Sequence, residues 1–268
     1  MPVRKDESGK RWVDMELIVP GTPEQVWQAL ATGPGYTAWF TPTTVEERVG
    51  GTIRFDFGEN GQSAGEVTVW EPPFRFGYVE RDWAKAAPPV ETEVTVTARS
   101  GDRCHVRMVH SLVASTDEWD EQMEGFEAGW PGFFEVLRLY LSHSDGMKAA
   151  VASAMTSVKA CPLDAWKQLI QALGLAGADV GQECVLRAPG QPSAIVERVE
   201  QGRRQRYVLL RLNRSAPGTA LIGIWSAGEA TNASMAFYFY GDDAEQRAAA
   251  CEAGLRDWLG RTFTQAEA

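Results

Sequence analysis

Apolar and polar residues alternate through Val13, Met15, Leu17 and Val19, so Trp12 to Val19 is predicted to form a half-buried strand ending at Pro20-Gly21. Thr22-Pro23-Glu24-Gln25 then carries helix-start chemistry. Threonine suits the N-cap, proline the first helical position, and Gln25 the third position of a capping box. Val26, Trp27 and Leu30 supply one apolar stripe. Gly33-Pro34-Gly35 is expected to break this helix, and Tyr36, Trp39 and Phe40 to start a second short one.

Beyond Thr41-Pro42 the period becomes two. Ile53, Phe55 and Phe57 share one face, Asn60-Gly61 signals a hairpin turn, and Val67 and Val69 continue on the return strand. After Pro72-Pro73, Phe74, Phe76 and Tyr78 share a face, as do Val94, Val96 and Ala98. Cys104, Val106, Met108, His110 and Leu112 form the last such set. A second capping-box pattern at Ser115 to Glu118 then precedes a long apolar stripe: Met123, Phe126, Trp130, Phe133, Phe134, Leu137 and Leu141. Pro131 predicts a kink or split near Gly129. The acidic residues Asp117 to Glu124 lack the glycine and ligand spacing of a calcium loop and are expected to be a solvated helix start.

The second half repeats this succession. A strand is expected over 154–160. Pro162, Trp166 and Leu169 then keep the spacing of Pro23, Trp27 and Leu30. Strands follow near 182–188, 193–200, 204–213, 219–226 and 232–240, and a helix from about Asp243 to Phe263. Duplication of a whole domain is the economical account. The second copy is the more degenerate, with Cys161 where Thr22 caps the first. The predicted organisation is therefore a polar N-terminal tail over 1–11, a first domain over 12–146 and a second over 147–268.

The motifs of the first half resemble those of the START-like (SRPBCC) superfamily. Within it they are similar to proteins related to the C-terminal domain of the activator of the heat-shock-protein-90 ATPase. The resemblance rests on Pro23-Glu24-Gln25-Val26-Trp27, Trp39-Phe40, Gly50-Gly51-Thr52-Ile53-Arg54-Phe55, Gly65-Glu66-Val67 with Glu71-Pro72, and Gly129-Trp130. It implies an α+β chain of two tandem helix-grip domains, each a curved antiparallel sheet around a long C-terminal helix, with a cavity between sheet and helix. Superfamily members bind lipids, hormones and polyketides, and some are aromatase/cyclases or hydrolases.

Composition narrows the functions. The net charge of −10 disfavours nucleic acid and anionic membrane surfaces as partners, because phosphate needs a basic face. Arg203, Arg204 and Arg206 are too few to reverse this and are read as a solvated edge. The four cysteines form no CxxC pair, and the three histidines do not flank them at zinc spacing, so neither metal nor disulfide framework is expected. No dinucleotide fingerprint, P-loop or Gly-x-Ser-x-Gly elbow occurs, and no cofactor is expected. The N-terminus lacks the apolar core of a signal peptide, which makes the cytoplasm the expected compartment.

Parity and the helix stripe nominate the ligand-contacting residues: Phe55, Phe57, Phe76, Tyr78, Met108, His110, Phe126, Trp130 and Phe133 pointing inward, with Trp39 near the mouth. These rings can equally be plain core filling. His110 has two readings. It is an acid–base or ligand-bonding group in the cavity, or, the favoured reading, a buried histidine satisfied by a neighbouring hydroxyl or backbone group. His105 has the opposite parity and is expected to face solvent. Glu80 shares the face of Phe76 and Tyr78, and Arg54 neighbours Phe55, and either could set a charge at the rim. Three functions compete. The chain binds an apolar or aromatic small molecule without chemistry, it is a polyketide cyclase/aromatase-like enzyme, or it is a co-chaperone or stress-related module with a protein partner.

Overall fold

The computed structural model describes residues 3–202, 205–213, 217–227 and 230–264. The chain divides into two compact units, Met1–Gly146 and Met147–Ala268. Each is α+β, an antiparallel sheet with a long helix last in sequence.

The first unit runs β1 (Arg4–Lys5), β2 (Lys10–Pro20), α1 (Pro23–Ala31), α2 (Gly33–Thr37), β3 (Thr43–Val45), β4 (Thr52–Asp56), β5 (Gln62–Glu71), β6 (Arg75–Glu80), β7 (Val90–Arg99), β8 (Arg103–Val113) and α3 (Asp120–His143). Its eight strands lie in the order β1-β2-β8-β7-β6-β5-β4-β3. The inward face is read directly from parity. Val13, Met15, Val19, Phe76, Tyr78, Val94, Val96, Val106 and Met108 are all buried. Each large apolar side chain so buried contributes roughly 1.5–3 kcal/mol. The inner stripe of α3, from Met123 through Trp130 and Phe134 to Leu137 and Leu141, is buried too.

The second unit runs β9 (Ala149–Val158), α4 (Pro162–Leu173), β10 (Glu183–Val185), β11 (Ser193–Gln201), β12 (Gln205–Leu212), β13 (Gly218–Ala227), β14 (Ala230–Tyr240) and α5 (Ala244–Thr264). Its strand order is β10-β11-β12-β13-β14-β9. In both units the first long strand pairs with the last one, and the hairpins return from there in sequence order. The register shifts also correspond: β5 bulges between Val67 and Val69, and β11 between Val196 and Arg198. Val67 pairs with Tyr78, and Val196 with Leu210. A bulge at the same place in both copies is a duplication signal that hydrophobic pattern alone does not reveal.

Several local expectations change. Thr22 forms the predicted capping box with Gln25, but the pattern at Ser115–Glu118 does not. A short 3-10 turn over Asp117–Trp119 precedes α3, which has no side-chain cap. Gly33-Pro34-Gly35 does not break the chain but starts α2, with Thr32 Oγ1 accepting from the Gly35 amide at 3.1 Å. A Cβ on Gly35 would lie 1.9 Å from the Gln28 carbonyl oxygen, so only glycine lets the two helices abut. Pro131 lies inside a continuous α3 rather than splitting it.

The segment read as a polar tail supplies β1 and the first residues of β2. The acidic helix start is not simply solvated. Buried Arg11 contacts Asp117 at 2.7 Å and Asp120 at 2.9 Å, and Lys5 contacts Asp117 at 2.9 Å and Asp120 at 2.5 Å. The N-terminal residues thus fasten the start of α3. No helix among the described residues is long and apolar enough to cross a membrane. Of the basic cluster, Arg203 and Arg204 lie outside the described residues.

Candidate functional site

The site is a row of side chains running straight across the first sheet. Tyr78 on β6 pairs with Thr92 on β7, Thr92 with His110 on β8, and His110 with Val13 on β2. Directly paired residues point to the same face, so three polar side chains enter the interior side by side. His110 is 3% exposed and Thr92 2%.

The tautomer of His110 follows from its partners. Trp130 Nε1 donates to His110 Nε2 at 2.7 Å, and His110 Nδ1 lies 2.8 Å from Thr92 Oγ1. An indole N–H can only donate, so Nε2 carries the lone pair and Nδ1 the proton, which it gives to Thr92. Burial lowers the imidazole pKa to about 4, and His110 is neutral at physiological pH. The ring also stacks on Trp130, centroids 5.6 Å apart, and touches Phe126 at 5.3 Å. The favoured sequence reading, a satisfied buried histidine, describes this geometry. Both ring nitrogens are committed to protein partners.

The row continues beyond Tyr78. Its hydroxyl interacts with those of Thr92 and Tyr36, and burial holds it protonated. Tyr36, from α2, is wholly buried, and its hydroxyl lies beside that of Tyr78. Two residues on from Tyr78, Glu80 accepts from the Ser63 hydroxyl. Burial raises the Glu80 pKa, and the Ser63 bond opposes the rise. Gly65 pairs with Glu80, and a Cβ there would come within 3.2 Å of Glu80 Cγ. The missing side chain lets the carboxylate lie on this face.

Aromatic rings surround these groups. Phe55 meets Tyr36 and Tyr78 with centroids at 5.4 and 5.7 Å, and Phe76 meets Tyr78 at 5.6 Å. Trp39 packs on Trp130 at 5.9 Å and Phe40 on Phe133 at 4.9 Å. Over His110, Trp83 from the β6–β7 connection lies 5.4 Å from Phe126 and 5.5 Å from Trp119.

Of the nominated residues, Phe55, Phe76, Tyr78, Met108, His110 and Trp130 are buried on this face, and Phe126 and Phe133 are half-buried at the helix. Two expectations of position fail. Trp39 is not near a mouth: it is fully buried, its Nε1 donating to the Ala29 carbonyl at 2.8 Å, because α1 and α2 fold back on each other. Phe57 does not point inward. β4 ends at Asp56, the backbone of Phe57 leaves the extended conformation, and the ring is 37% exposed against Phe40. Phe74 is likewise in a turn and 52% exposed. His105 lies on the outer face beside Glu16, at 3.2 Å. Sequence reasoning missed Tyr36, Thr92 and Ser63 as site residues. Thr92 shares the parity of Val94 and was legible. Tyr36 was not, because its direction is set by the abutting helices.

Among the described residues, the core of the second unit holds no such row. Counted back ten residues from Pro23 and Pro162, Val13 and Ala152 hold the same position. Ala152 pairs with Phe237, Phe237 with Ala220, and Ala220 with Leu210. Leu212, opposite Ala194, stands where Glu80 faces Gly65. All of these are buried in one apolar core with Trp166. A surface cleft of about 580 Å³ lies at the β10–β11 edge, lined by Cys184, Ile195, Arg211 and Asn213 among others. Among the described residues of the chain, no group of three His, Cys, Asp or Glu side chains is placed to hold a metal ion.

Residues 20–142 match the family model described as Activator of Hsp90 ATPase homolog 1-like protein. No curated protein matches the chain. Among solved structures, protein MLL2253 from Mesorhizobium loti is 25% identical, with 50% of this chain and 99% of that one covered and a TM-score of 0.45. DynU16, from the dynemicin biosynthetic locus, is 18% identical over 96% of this chain and 97% of its own, TM-score 0.44. The di-domain ARO/CYC BexL from the BE-7585A biosynthetic pathway is 14% identical over 96% and 99%, TM-score 0.46. Over residues 20–142 this chain is thus similar to the Activator of Hsp90 ATPase homolog 1-like proteins of the START-like superfamily.

Proposed function

We propose that the first unit binds an apolar or aromatic small molecule against the row Tyr78–Thr92–His110, as a binding module rather than a catalyst. One observation carries this reading: the hydroxyls of Tyr78 and Thr92, with that of Tyr36 beside them, are gathered inside an aromatic interior where the matching row of the second unit is leucine and alanine. A ligand oxygen or nitrogen would hydrogen-bond to this cluster, and the rings around it supply the apolar contact. The second unit, whose matching positions are leucine, alanine and phenylalanine, serves as a filled structural partner.

His110 acts here as a positioning residue. It holds Trp130 on α3 to the sheet through Nε2 and has no free nitrogen for acid–base work. Access to the row is through the cover formed by Trp83, Trp119 and Phe126.

A thermal-shift and native mass-spectrometry screen against apolar and aromatic compounds tests this. The expected result is a bound compound whose affinity falls in Tyr36→Phe, with no product released. A compound that the wild type converts and His110→Ala does not would replace the binding reading with the cyclase-like one. A screen without any binder to the first unit would remove it.

A further inference from the structure

Within the proposed ligand site, and resting on that reading, the charges choose the ligand class. Glu80 sits next to Tyr78 on the inward face of β6, with Gly65 opposite and Ser63 donating to it. No ion pair reaches Glu80 among the described residues. Its chain neighbour Arg81 lies 3.7 Å from Glu66 instead. Tyr36 and Tyr78 both lie within reach of the Glu80 charge, and Phe55 packs on both rings.

An anionic ligand would meet the Glu80 carboxylate, with which no cation forms an ion pair among the described residues. A neutral ligand would leave the carboxylate uncompensated once solvent was displaced. A cation gains on both counts, from the carboxylate in a poorly solvated site and from the tyrosine and phenylalanine faces. We infer that the ligand is an amine: a protonated basic nitrogen seats between Glu80, Tyr36 and Tyr78, and its apolar part lies along Phe55, Phe76 and Trp130. Tyr36 Oη then accepts an N–H beside the Tyr78 hydroxyl.

Three probes sharing one ring separate the possibilities: 2-(1-naphthyl)ethylamine, 2-(1-naphthyl)ethanol and 1-naphthylacetic acid, titrated calorimetrically into the full chain at neutral pH. The amine is expected to bind about tenfold more tightly than the alcohol, the gain expected of a desolvated cation–π and ion-pair contact. The acid should bind weakest. Glu80→Gln, checked for unchanged thermal unfolding, should erase the preference for the amine and leave alcohol binding within about twofold, as removal of charge without shape requires. Tyr36→Phe should weaken the amine and the alcohol together. Equal binding of amine and alcohol, or tightest binding of the acid, overturns the amine assignment and leaves the ligand site standing. Failure of all three probes to bind overturns both.

Discussion

The inward rows of the two units occupy the same register and carry opposite chemistry. In the first, Tyr78, Thr92 and His110 are joined by hydrogen bonds and reach Trp130 on α3. In the second, Leu210, Ala220 and Phe237 pack without a polar atom. Both arrangements are well buried, so burial alone does not distinguish a site from a core. The polar version costs desolvation of every group it contains and returns little net stability for it. The apolar version shows that the fold does not require the row. A feature the fold can do without, seen in one copy among the described residues, is what the proposed ligand site in the first unit rests on.

The largest test forces the second unit to resemble the first. Phe237→His places an imidazole in the apolar core beside Phe239, where the native row has no polar side chain. About 4 kcal/mol of stability should be lost, combining lost apolar transfer with an unsatisfied buried group. Denaturant unfolding measures it. A loss under about 1 kcal/mol would mean that the second core already holds hidden partners and that the contrast is false.

Next is the pH profile of His110. Its folded pKa is about 4 and its ordinary value 6.5, so the unfolded chain binds the proton first. Stability is therefore full above about pH 6.5 and falls as pH drops toward 4, by up to about 3 kcal/mol. His110→Phe, the residue of the second unit, should remove that part of the slope. Identical slopes in the two proteins would show that His110 is not a buried neutral group.

Trp130→Phe keeps the ring contacts but strips the donor from His110 Nε2. The expected cost is about 2 kcal/mol, partly returned when His110→Phe is added, because a second change removes the stranded acceptor. Additive losses would deny the bond. The smallest effect concerns the two helix starts. Thr22→Ala should cost about 1 kcal/mol, since Thr22 accepts from the Gln25 amide. Cys161→Ala should cost less than about 0.5 kcal/mol, because the thiol makes no capping bond and turns instead to Asp164 at 3.1 Å. Equal costs would erase the sense in which the second copy is degenerate.

Much of this was legible in the chain. Alternation marked most of the longer strands, though β9 begins at Ala149 rather than 154 and the short β1 and β3 went unread, and the repeated Pro-Trp-Leu spacing revealed the duplication. Period two also put Phe55, Phe76, Tyr78, Met108 and His110 on the buried face. It failed where the backbone left the extended form, at Phe57 and Phe74, since a parity argument holds only while the strand lasts. It failed again for the acidic run before α3, because nothing local connects Asp117 and Asp120 to Lys5 and Arg11, more than a hundred residues earlier.

The sequence by itself determined which residues face inward, since that depends only on period and polarity within one element. Tertiary structure alone decided which of them meet. Register across β6, β7 and β8 aligned Tyr78, Thr92 and His110 into a row, and the packing of α3 brought Trp130 within bonding distance. The abutment of α1 and α2 buried Trp39 and set the Tyr36 hydroxyl beside that of Tyr78. Strand pairing and helix docking join segments far apart in the chain, and hydrogen bonds form over about 3 Å, a precision no one-dimensional pattern carries.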